Sequence, residues 1–441
     1  MSPARAEDAD GPPAGTTTMT TQRALKRLVR ERAARTGESY TTARRHILAR
    51  AGRSSEPAPG ALPGYPGFGG GQHRESTLLA HLLVQAGHSA PPYAETTLCG
   101  LAGGIGFLYA VFEYRGLPPI VTIVAQHHPE PWAQAALGRL NVPFEVRHST
   151  GVKAAEAELR TLLAAGRAVH CVVDRGRLPW HPSATALATD PYPVVVAGHR
   201  DDRYLIDDEA VRPHEIAAAD FLAAWSAHRK GRHQRLVVGP PDGTVDLAGA
   251  MRAAIGTTVA HLTGPVLGNA FDVNMGFSGM AKLAAQLRDE RTSKGWARRF
   301  SAPGALALGL RRLYECLELE YTAPGATRPL YADFLDEAAA VLGEPRLTRA
   351  AALFREAAQQ WSAVADRAVR AAGPVGDLLE QQLFGQLTGA GPEELREIAE
   401  RIAAVGVADP RAGDPALLAG LADGVLAACA AETAAVELIR L

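Results

Sequence analysis

The fold is decided by the stretch Phe68-Gly69-Gly70-Gly71-Gln72-His73-Arg74-Glu75-Ser76-Thr77, which continues into Leu78-Leu79-Ala80-His81-Leu82-Leu83. Three consecutive glycines predict a loop, and the apolar positions after Arg74 predict a buried helix. A second glycine-rich stretch follows as Leu98-Cys99-Gly100-Leu101-Ala102-Gly103-Gly104-Ile105-Gly106-Phe107. The sequence therefore predicts a glycine loop that leads into a helix, followed by a glycine turn.

Short β-rich runs and helical patterns alternate from residue 72 to about residue 238. The β-rich runs are residues 119–124, 168–174, 192–198, 203–208 and 235–238, and the helical patterns are residues 132–140, 152–165 and 217–228. A polar turn at residues 199–202 joins two of these strands, which predicts an antiparallel hairpin. We therefore expect an α+β fold with a mainly antiparallel sheet. No strand precedes the Gly103-Gly104 turn in this interpretation, so it is a poor dinucleotide site, and no cofactor is expected.

This layout resembles the amino-terminal domain of the butirosin-biosynthesis H-protein family. The resemblance implies a cysteine-protease-like, papain-type fold and acyl transfer from a carrier protein to an amine. In the family pattern the loop reads His-Cys-Glu, with the cysteine at the start of the helix, whereas this chain has Arg74 there. The family histidine falls at or beside Tyr192 and the family acid on Asp207. The resemblance thus implies that the fold is kept while two of the three catalytic groups are replaced.

The composition changes after residue 245, where alanine and leucine dominate and helical stripes recur. One stripe contains Leu306, Leu308, Leu310, Leu313, Cys316 and Leu317, and Pro/Gly breaks divide the region into about six to eight helices. Residues 321–335 resemble the glycine-containing stretch of the helical domain that usually follows in this family. The predicted organisation is a disordered tail (1–20), a basic helical arm (21–53), a Pro/Gly linker (54–71), a cysteine-protease-like α+β domain (72–245) and an α-helical domain (246–441).

Composition indicates a cytoplasmic protein. Four widely spaced cysteines form no CxxC pair, which favours a reducing compartment and gives no zinc signature. His127-His128 and His148 lack a suitably spaced third ligand, so no metal is expected. The sequence contains no run of about 18 uninterrupted apolar residues, so we do not expect a membrane span.

The basic arm concentrates the positive charge. Residues 21–53 contain ten Lys or Arg and two Glu, a charge of +8, so the remainder carries −9 because the whole chain is at −1. Two short helical stripes there vaguely resemble a ribbon-helix-helix unit. The arm either contacts nucleic acid weakly or packs on the acidic body or on a second subunit of a homodimer.

The altered site still contains groups able to act. A small-molecule amine or acid substrate, or an acyl carrier protein, would meet His73 and Glu75 as bases, Asp207 as the remaining acid, and Arg74 as an anion-binding group at a helix N-terminus. Capping for His73, a first-turn position for Glu75 and a salt bridge for Arg74 are the structural alternatives. Further substrate-binding candidates are Ser76, Gly103, Gly104, Asp174, Tyr192, Arg328 and Tyr331.

Alternatives stay open for several of these candidates. The two glycines allow close approach of either a ligand or a packed helix, and Asp174 binds an amine or satisfies backbone donors in its turn. Arg328 and Tyr331, three residues apart on one helix face, close over a substrate or form an interdomain contact. Cys99 is expected to be a small buried hydrophobe.

Two classes of function follow. The first is a biosynthetic enzyme that transfers an acyl or aminoacyl group to an amine with a non-thiol site. The second is a catalytically degenerate protein that binds a metabolite or a carrier protein, or a ligand-sensing DNA-binding regulator.

Deletion of residues 1–53 tests the arm. We expect the full chain to retard duplex DNA weakly at low salt and to lose this binding steeply as salt rises, because phosphate contacts release condensed counterions. The truncated body should not bind in the same gel-shift assay. A salt-resistant, sequence-specific complex that depends on Arg44 and Arg45 would instead favour the regulator.

Overall fold

The computed structural model describes residues 29, 31, 43, 47, 58–89, 93–129, 131–182, 190–405 and 415–440. The predicted tail and most of the basic arm lie outside these residues. The α+β class is confirmed, since antiparallel sheets occupy the N-terminal half and helices fill the C-terminal half.

The N-terminal half begins with two helices, α1 (Arg74–Gln85) and α2 (Glu95–Leu101), and a two-stranded antiparallel sheet of β1 (Ile105–Phe112) and β2 (Ile120–Gln126). Its other elements are α3 (Trp132–Arg139), β3 (Phe144–Arg147), α4 (Val152–Ala164), β4 (Val169–Asp174), β5 (Pro191–Arg200), β6 (Arg203–Asp207), β7 (His214–Ala217), α5 (Ala218–Ala227) and β8 (Arg235–Val238). Strands β3 to β8 form one antiparallel six-stranded sheet in the order β3-β8-β4-β5-β6-β7. The hairpin predicted around residues 199–202 is confirmed as β5-β6.

Three strands were not predicted from the sequence. Strand β1 starts inside the glycine turn, where Gly104 and Gly106 weaken the β pattern, and β3 and β7 have only four residues each. They are ordered by pairing with neighbouring strands rather than by local propensity.

The described part of the helical half contains nine α-helices and a short 3₁₀ helix, Ala270–Asn274. The α-helices are α6 (Leu247–Thr263), α7 (Gly276–Arg288), α8 (Trp296–Arg299), α9 (Ala305–Glu318), α10 (Arg328–Leu342), α11 (Pro345–Ala371), α12 (Val375–Thr388), α13 (Pro392–Val405) and α14 (Pro415–Ile439). The stripe predicted around Leu306 lies in α9, where Leu310, Leu313 and Leu317 are fully buried. These nine α-helices exceed the predicted six to eight because α8, with four residues, is a single turn that periodicity does not reveal.

The predicted linker is not free over its described portion. Leu62, Tyr65 and Phe68 are buried, and Ala61 bridges to Gly198 of β5. The apolar side chains between the Pro and Gly residues attach residues 58–71 to the sheet.

Helix α14 contains a stretch, within residues 416–439, that is apolar and long enough to cross a membrane, with a mean hydropathy of 1.4. In the folded chain this helix packs against α11 and α7. It also carries Glu432, whose buried carboxylate pairs with Arg328. These contacts are those of a core helix.

The two halves meet along a shared core. Helix α10 packs against α2, α9 packs against β2, and α7 packs against β1. Arg328 is fully buried at this junction and pairs with Glu432 of α14 at 2.8 Å. Its guanidinium also donates to the carbonyls of Gly106, Ala125 and Ala326.

Replacing Glu432 with Gln should destabilise the protein by roughly 3–5 kcal/mol, because it leaves the Arg328 charge buried without its counterion. Urea unfolding measures this change. Asp366→Asn is the matched control, since Asp366 pairs with Arg370 on an exposed helix face, and we expect about 0.5 kcal/mol or less there. Equal effects of the two changes would contradict a special role for the buried pair.

Candidate functional site

A cavity lies where the start of α1, the ends of β2, β4 and β6, and helices α9 and α12 converge. Its lining includes three of the residues singled out around the helix start and eighteen others: His73, Arg74, Glu75, Gln126, Arg175, Trp180, His181, Tyr192, Asp208, Glu209, His214, Glu315, Leu319, Glu320, Tyr321, Thr322, Leu379, Gln382, Leu383, Gln386 and Leu387. Both halves of the chain therefore contribute walls to one site.

Arg74 and Tyr192 form the centre of one wall. The Arg74 guanidinium carbon lies 3.8 Å from the centre of the Tyr192 ring, and Nη1 donates to the Pro193 carbonyl. The start of α1 therefore carries a cation stacked on an aromatic ring. Burial alone lowers the pKa of Arg74, but Tyr192 and Asp208 more than offset it, so the pKa stays above its ordinary value.

His73 caps helix α1. Its Nδ1 accepts a hydrogen bond from the Ser76 backbone amide and lies 2.7 Å from Ser76 Oγ. The proton then resides on Nε2, which donates to Gln126 Oε1 at 2.6 Å, and the Gln126 amide donates to Glu75 Oε1 at 2.8 Å. His73 and Glu75 are joined through Gln126, and both ring nitrogens of His73 already have protein partners. These contacts correspond to the alternative in which His73 is the capping residue of α1.

Asp207 does not line the cavity. Its Oδ2 accepts from the Tyr65 hydroxyl at 2.5 Å and lies 2.7 Å from His81 Nδ1, and the residue is fully buried. The structure corrects the predicted grouping of Asp207 with His73 and Glu75. Asp207 instead bonds Tyr65 and His81, and so it supports the packing of residues 58–71 against α1. Successive residues of a strand point to opposite faces, and the cavity receives the next acid, Asp208, instead.

Asp208 forms a polar network that the sequence did not reveal. Its Oδ2 accepts from Trp180 Nε1 at 2.7 Å and from His181 Nε2 at 2.9 Å. Burial raises the pKa of Asp208, but the bond from His181 and the charge of Arg74 outweigh it, so the pKa is lowered and the carboxylate is ionised at neutral pH. Gln386 of α12 donates to His181 Nδ1 at 3.0 Å, which fixes the histidine tautomer.

His214 and His170 are neutral imidazoles near this network. His214 stacks on Trp180 with ring centres 4.2 Å apart. Burial lowers the pKa of His214 to about 4. Burial, followed by the charge of Arg74, lowers the pKa of His170 to about 4 as well.

The opposite wall is an ionic cluster that joins the two halves. Arg175 pairs with Asp190 at 2.7 Å and with Glu320 at 3.0 Å. Arg312 reaches Glu320 and Glu315, each at 2.6 Å, and the Tyr321 hydroxyl donates to Asp190. Burial raises the pKa of Glu320, but Arg175 and Arg312 lower it more strongly.

The remaining predicted site residues serve packing. A Cβ at Gly103 would lie 2.5 Å from the His127 ring, and one at Gly104 would lie 2.4 Å from Tyr331. Close approach of packed side chains therefore explains both glycines. Tyr331, like Arg328, is fully buried at the junction of the halves, so the interdomain alternative describes this pair.

Asp174 and Ser76 also lie away from a ligand position. Asp174 Oδ1 accepts from the backbone amides of Gly176 at 3.1 Å and Asp190 at 3.4 Å, which is the turn-stabilising alternative. Ser76 is fully buried beside His73. Cys99 is buried in the core, where burial raises its thiol pKa.

Sequence reasoning missed Asp208, His181, His214 and the Arg175 cluster. Within the stretch from Asp174 to His181, the sequence singled out Asp174 alone and gave no role to His181. The partners of these groups come from distant segments, such as Gln386 and Glu320, so spacing alone does not reveal them. Among the residues that the structure describes, no group of three His, Cys, Asp or Glu side chains is arranged to hold a metal ion.

Two known family models match this chain. Residues 73–209 match the model described as Butirosin biosynthesis protein H, N-terminal, and residues 215–388 match a domain of unknown function, DUF4872. No curated protein matches the chain. The chain thus has the domain architecture of the butirosin biosynthesis protein H family, which confirms the resemblance inferred from its sequence.

The neutral histidines predict acid sensitivity. An unfolded histidine takes up its proton near pH 6.5, whereas folded His170 and His214 do so near pH 4. Their stabilising contribution is therefore complete above about pH 6.5 and is lost as the pH falls towards 4. At pH 5 the contribution of each histidine to the free energy of unfolding is lower by about 2 kcal/mol. Each pH unit between the unfolded and folded pKa values is worth about 1.4 kcal/mol.

Urea unfolding at pH 7 and pH 5 measures this loss. His214→Asn should show a smaller difference between the two pH values than the unaltered chain. The control is His199→Asn at an exposed strand end, which should leave the difference unchanged. An unchanged difference in His214→Asn would contradict the assignment.

Proposed function

We propose that the protein is a cytoplasmic biosynthetic protein that holds a small metabolite in this cavity without thiol chemistry. The ligand carries an amine or an acid group. The observation that supports this most directly is the Arg74–Tyr192 stack. The family resemblance aligns Arg74 with the thiolate of an acyltransferase and places the imidazole at or beside Tyr192. Membership in an antibiotic-biosynthesis family supports the biosynthetic setting.

A papain-type ancestry is part of this proposal. A thiolate in such a fold lies at a helix N-terminus, where the helix dipole and free amides lower its pKa. Here the start of α1 faces β5, and Arg74 at the helix start contacts Tyr192 and Pro193 of that strand. This contact supports a papain-type ancestry in which the helix and the strand are kept and the side chains differ.

Loss of thiol transfer is supported by the positions of the cysteines. Cys99, Cys171 and Cys316 are buried, and burial raises the pKa of each thiol. None of them lines the cavity. A transfer reaction that uses His73, Glu75 and Asp207 without a thiol is less well supported, because Asp207 lies outside the cavity.

Restoring the family pattern tests the proposal. The unaltered protein should form no covalent adduct with a small acyl thioester, as judged by intact mass. The double variant Arg74→Cys/Tyr192→His should become acylated at position 74, because a cysteine would occupy the helix start with an imidazole beside it. Arg74→Ala/Tyr192→Phe is the control, with an opened cavity and no nucleophile.

Acyl transfer by the unaltered protein would count against the proposal. If the unaltered protein transfers an acyl group from the thioester to an added amine, the site is a non-thiol enzyme. If only the double variant reacts, the scaffold is intact and the natural side chains have changed its use.

A further inference from the structure

Two oppositely charged side chains beside the cavity each have one atom without a partner. Arg74 Nη2 and Asp208 Oδ1 are both screened from solvent, and neither has a hydrogen-bond partner within the part of the chain that the structure describes. Both groups are held through another atom, since Arg74 Nη1 donates to Pro193 and Asp208 Oδ2 accepts from Trp180 and His181. Each group is thus held in place with one unmet bonding direction.

Most other charged groups of the lining have protein partners. Glu75 accepts from Gln126, Arg175 pairs with Glu320, and Glu315 pairs with Arg312. A buried charged group with an unmet donor or acceptor is costly, and native proteins satisfy such groups with water, ions or ligands. Arg74 and Asp208 therefore stand out as the places where a ligand would contribute most.

The two unmet atoms do not satisfy each other. No ion pair joins Arg74 to Asp208, although each charge stabilises the ionised form of the other. A molecule with one anionic and one cationic end would satisfy both. Four leucines from the helical half line the same cavity and offer contact for an apolar group: Leu319, Leu379, Leu383 and Leu387.

We infer that the cavity binds a free α-amino acid with an apolar side chain, with its carboxylate on Arg74 and its ammonium on Asp208. This inference rests on the proposed function and names the ligand class of the same site. A carboxylate on a guanidinium and an ammonium on a carboxylate are charge-assisted contacts, the stronger class of hydrogen bond. The lining contains five carboxylates against two arginines, and this excess of negative charge disfavours amino acids with acidic side chains.

The test is calorimetric titration of the full chain with four probes. These are L-leucine, its amine-only analogue 3-methylbutylamine, its acid-only analogue 4-methylpentanoate, and L-glutamate. L-leucine should bind most tightly, and each of the others should bind about tenfold more weakly or worse, because each lacks one contact or adds repulsion.

Two variants assign the ends of the ligand. Arg74→Gln should weaken L-leucine and 4-methylpentanoate about tenfold while leaving 3-methylbutylamine unchanged. Asp208→Asn should weaken L-leucine and 3-methylbutylamine while leaving 4-methylpentanoate unchanged. Asp202→Asn, on an exposed turn, is the control and should alter none of the affinities.

Distinct results would overturn the inference. Equal binding of L-leucine and 3-methylbutylamine would exclude two-ended recognition while leaving metabolite binding intact. Absence of binding by all four probes, or equal loss of every ligand in both variants, would assign the unmet atoms to water or to structure. The probe series uses the unaltered protein, so it decides the matter even if Arg74→Gln fails to fold. The thioester experiment tests the proposed function separately.

Discussion

The structure depends on one guanidinium group that is wholly enclosed by protein. Arg328 donates to carbonyl oxygens of β1 and β2, to its own preceding turn and to both oxygens of Glu432. A single side chain thereby connects the two-stranded sheet, the start of α10 and the last helix. Trp361 of α11 donates to the same carboxylate, so the fourth element of the junction is held as well. Removing a charge of this kind from water is favourable only when every donor has a partner, and here the contacts come from across the chain.

The cavity is a consequence of that junction. Because α9 and α10 are fixed against β2 and α2, the loop between them brings Glu320 and Tyr321 over the N-terminal half. Arg175 pairs with Glu320 of this loop and also with Asp190. Neither half alone would enclose the site, and residues of both family matches line it. The helical half is therefore part of the binding site rather than an independent appendage.

The sequence predicts the local elements well and the site poorly, for a physical reason. Strands β4, β5, β6 and β8 and the helices α1, α3, α4 and α5 follow from periodicity, because burial of one face imposes a regular pattern. The cavity network depends on contacts such as His181 with Gln386, which are separated by about two hundred residues. Periodicity carries no information on such pairs. The choice between Asp207 and Asp208 is a similar case, since one residue along a strand decides which face an acid occupies.

The roles predicted for Gly103, Gly104, Arg328 and Tyr331 illustrate a related point. A glycine that allows close approach and an arginine near a glycine loop resemble ligand contacts in a sequence. The same chemistry is required wherever two parts of a protein pack tightly around a polar group. Only the three-dimensional arrangement shows that the approaching groups are His127 and Tyr331 rather than a substrate.

Arg74 and Tyr192 make physical sense only together. An arginine at the helix start places a positive charge beside the positive end of the helix dipole, which is unfavourable by itself. The Tyr192 ring beneath the guanidinium, the Pro193 carbonyl and the nearby Asp208 charge compensate for this position. A histidine in place of Tyr192 would add a second cationic group whenever it became protonated. The tyrosine therefore permits the arginine, and the pair holds a fixed cation whose charge acts on the fixed anion Asp208.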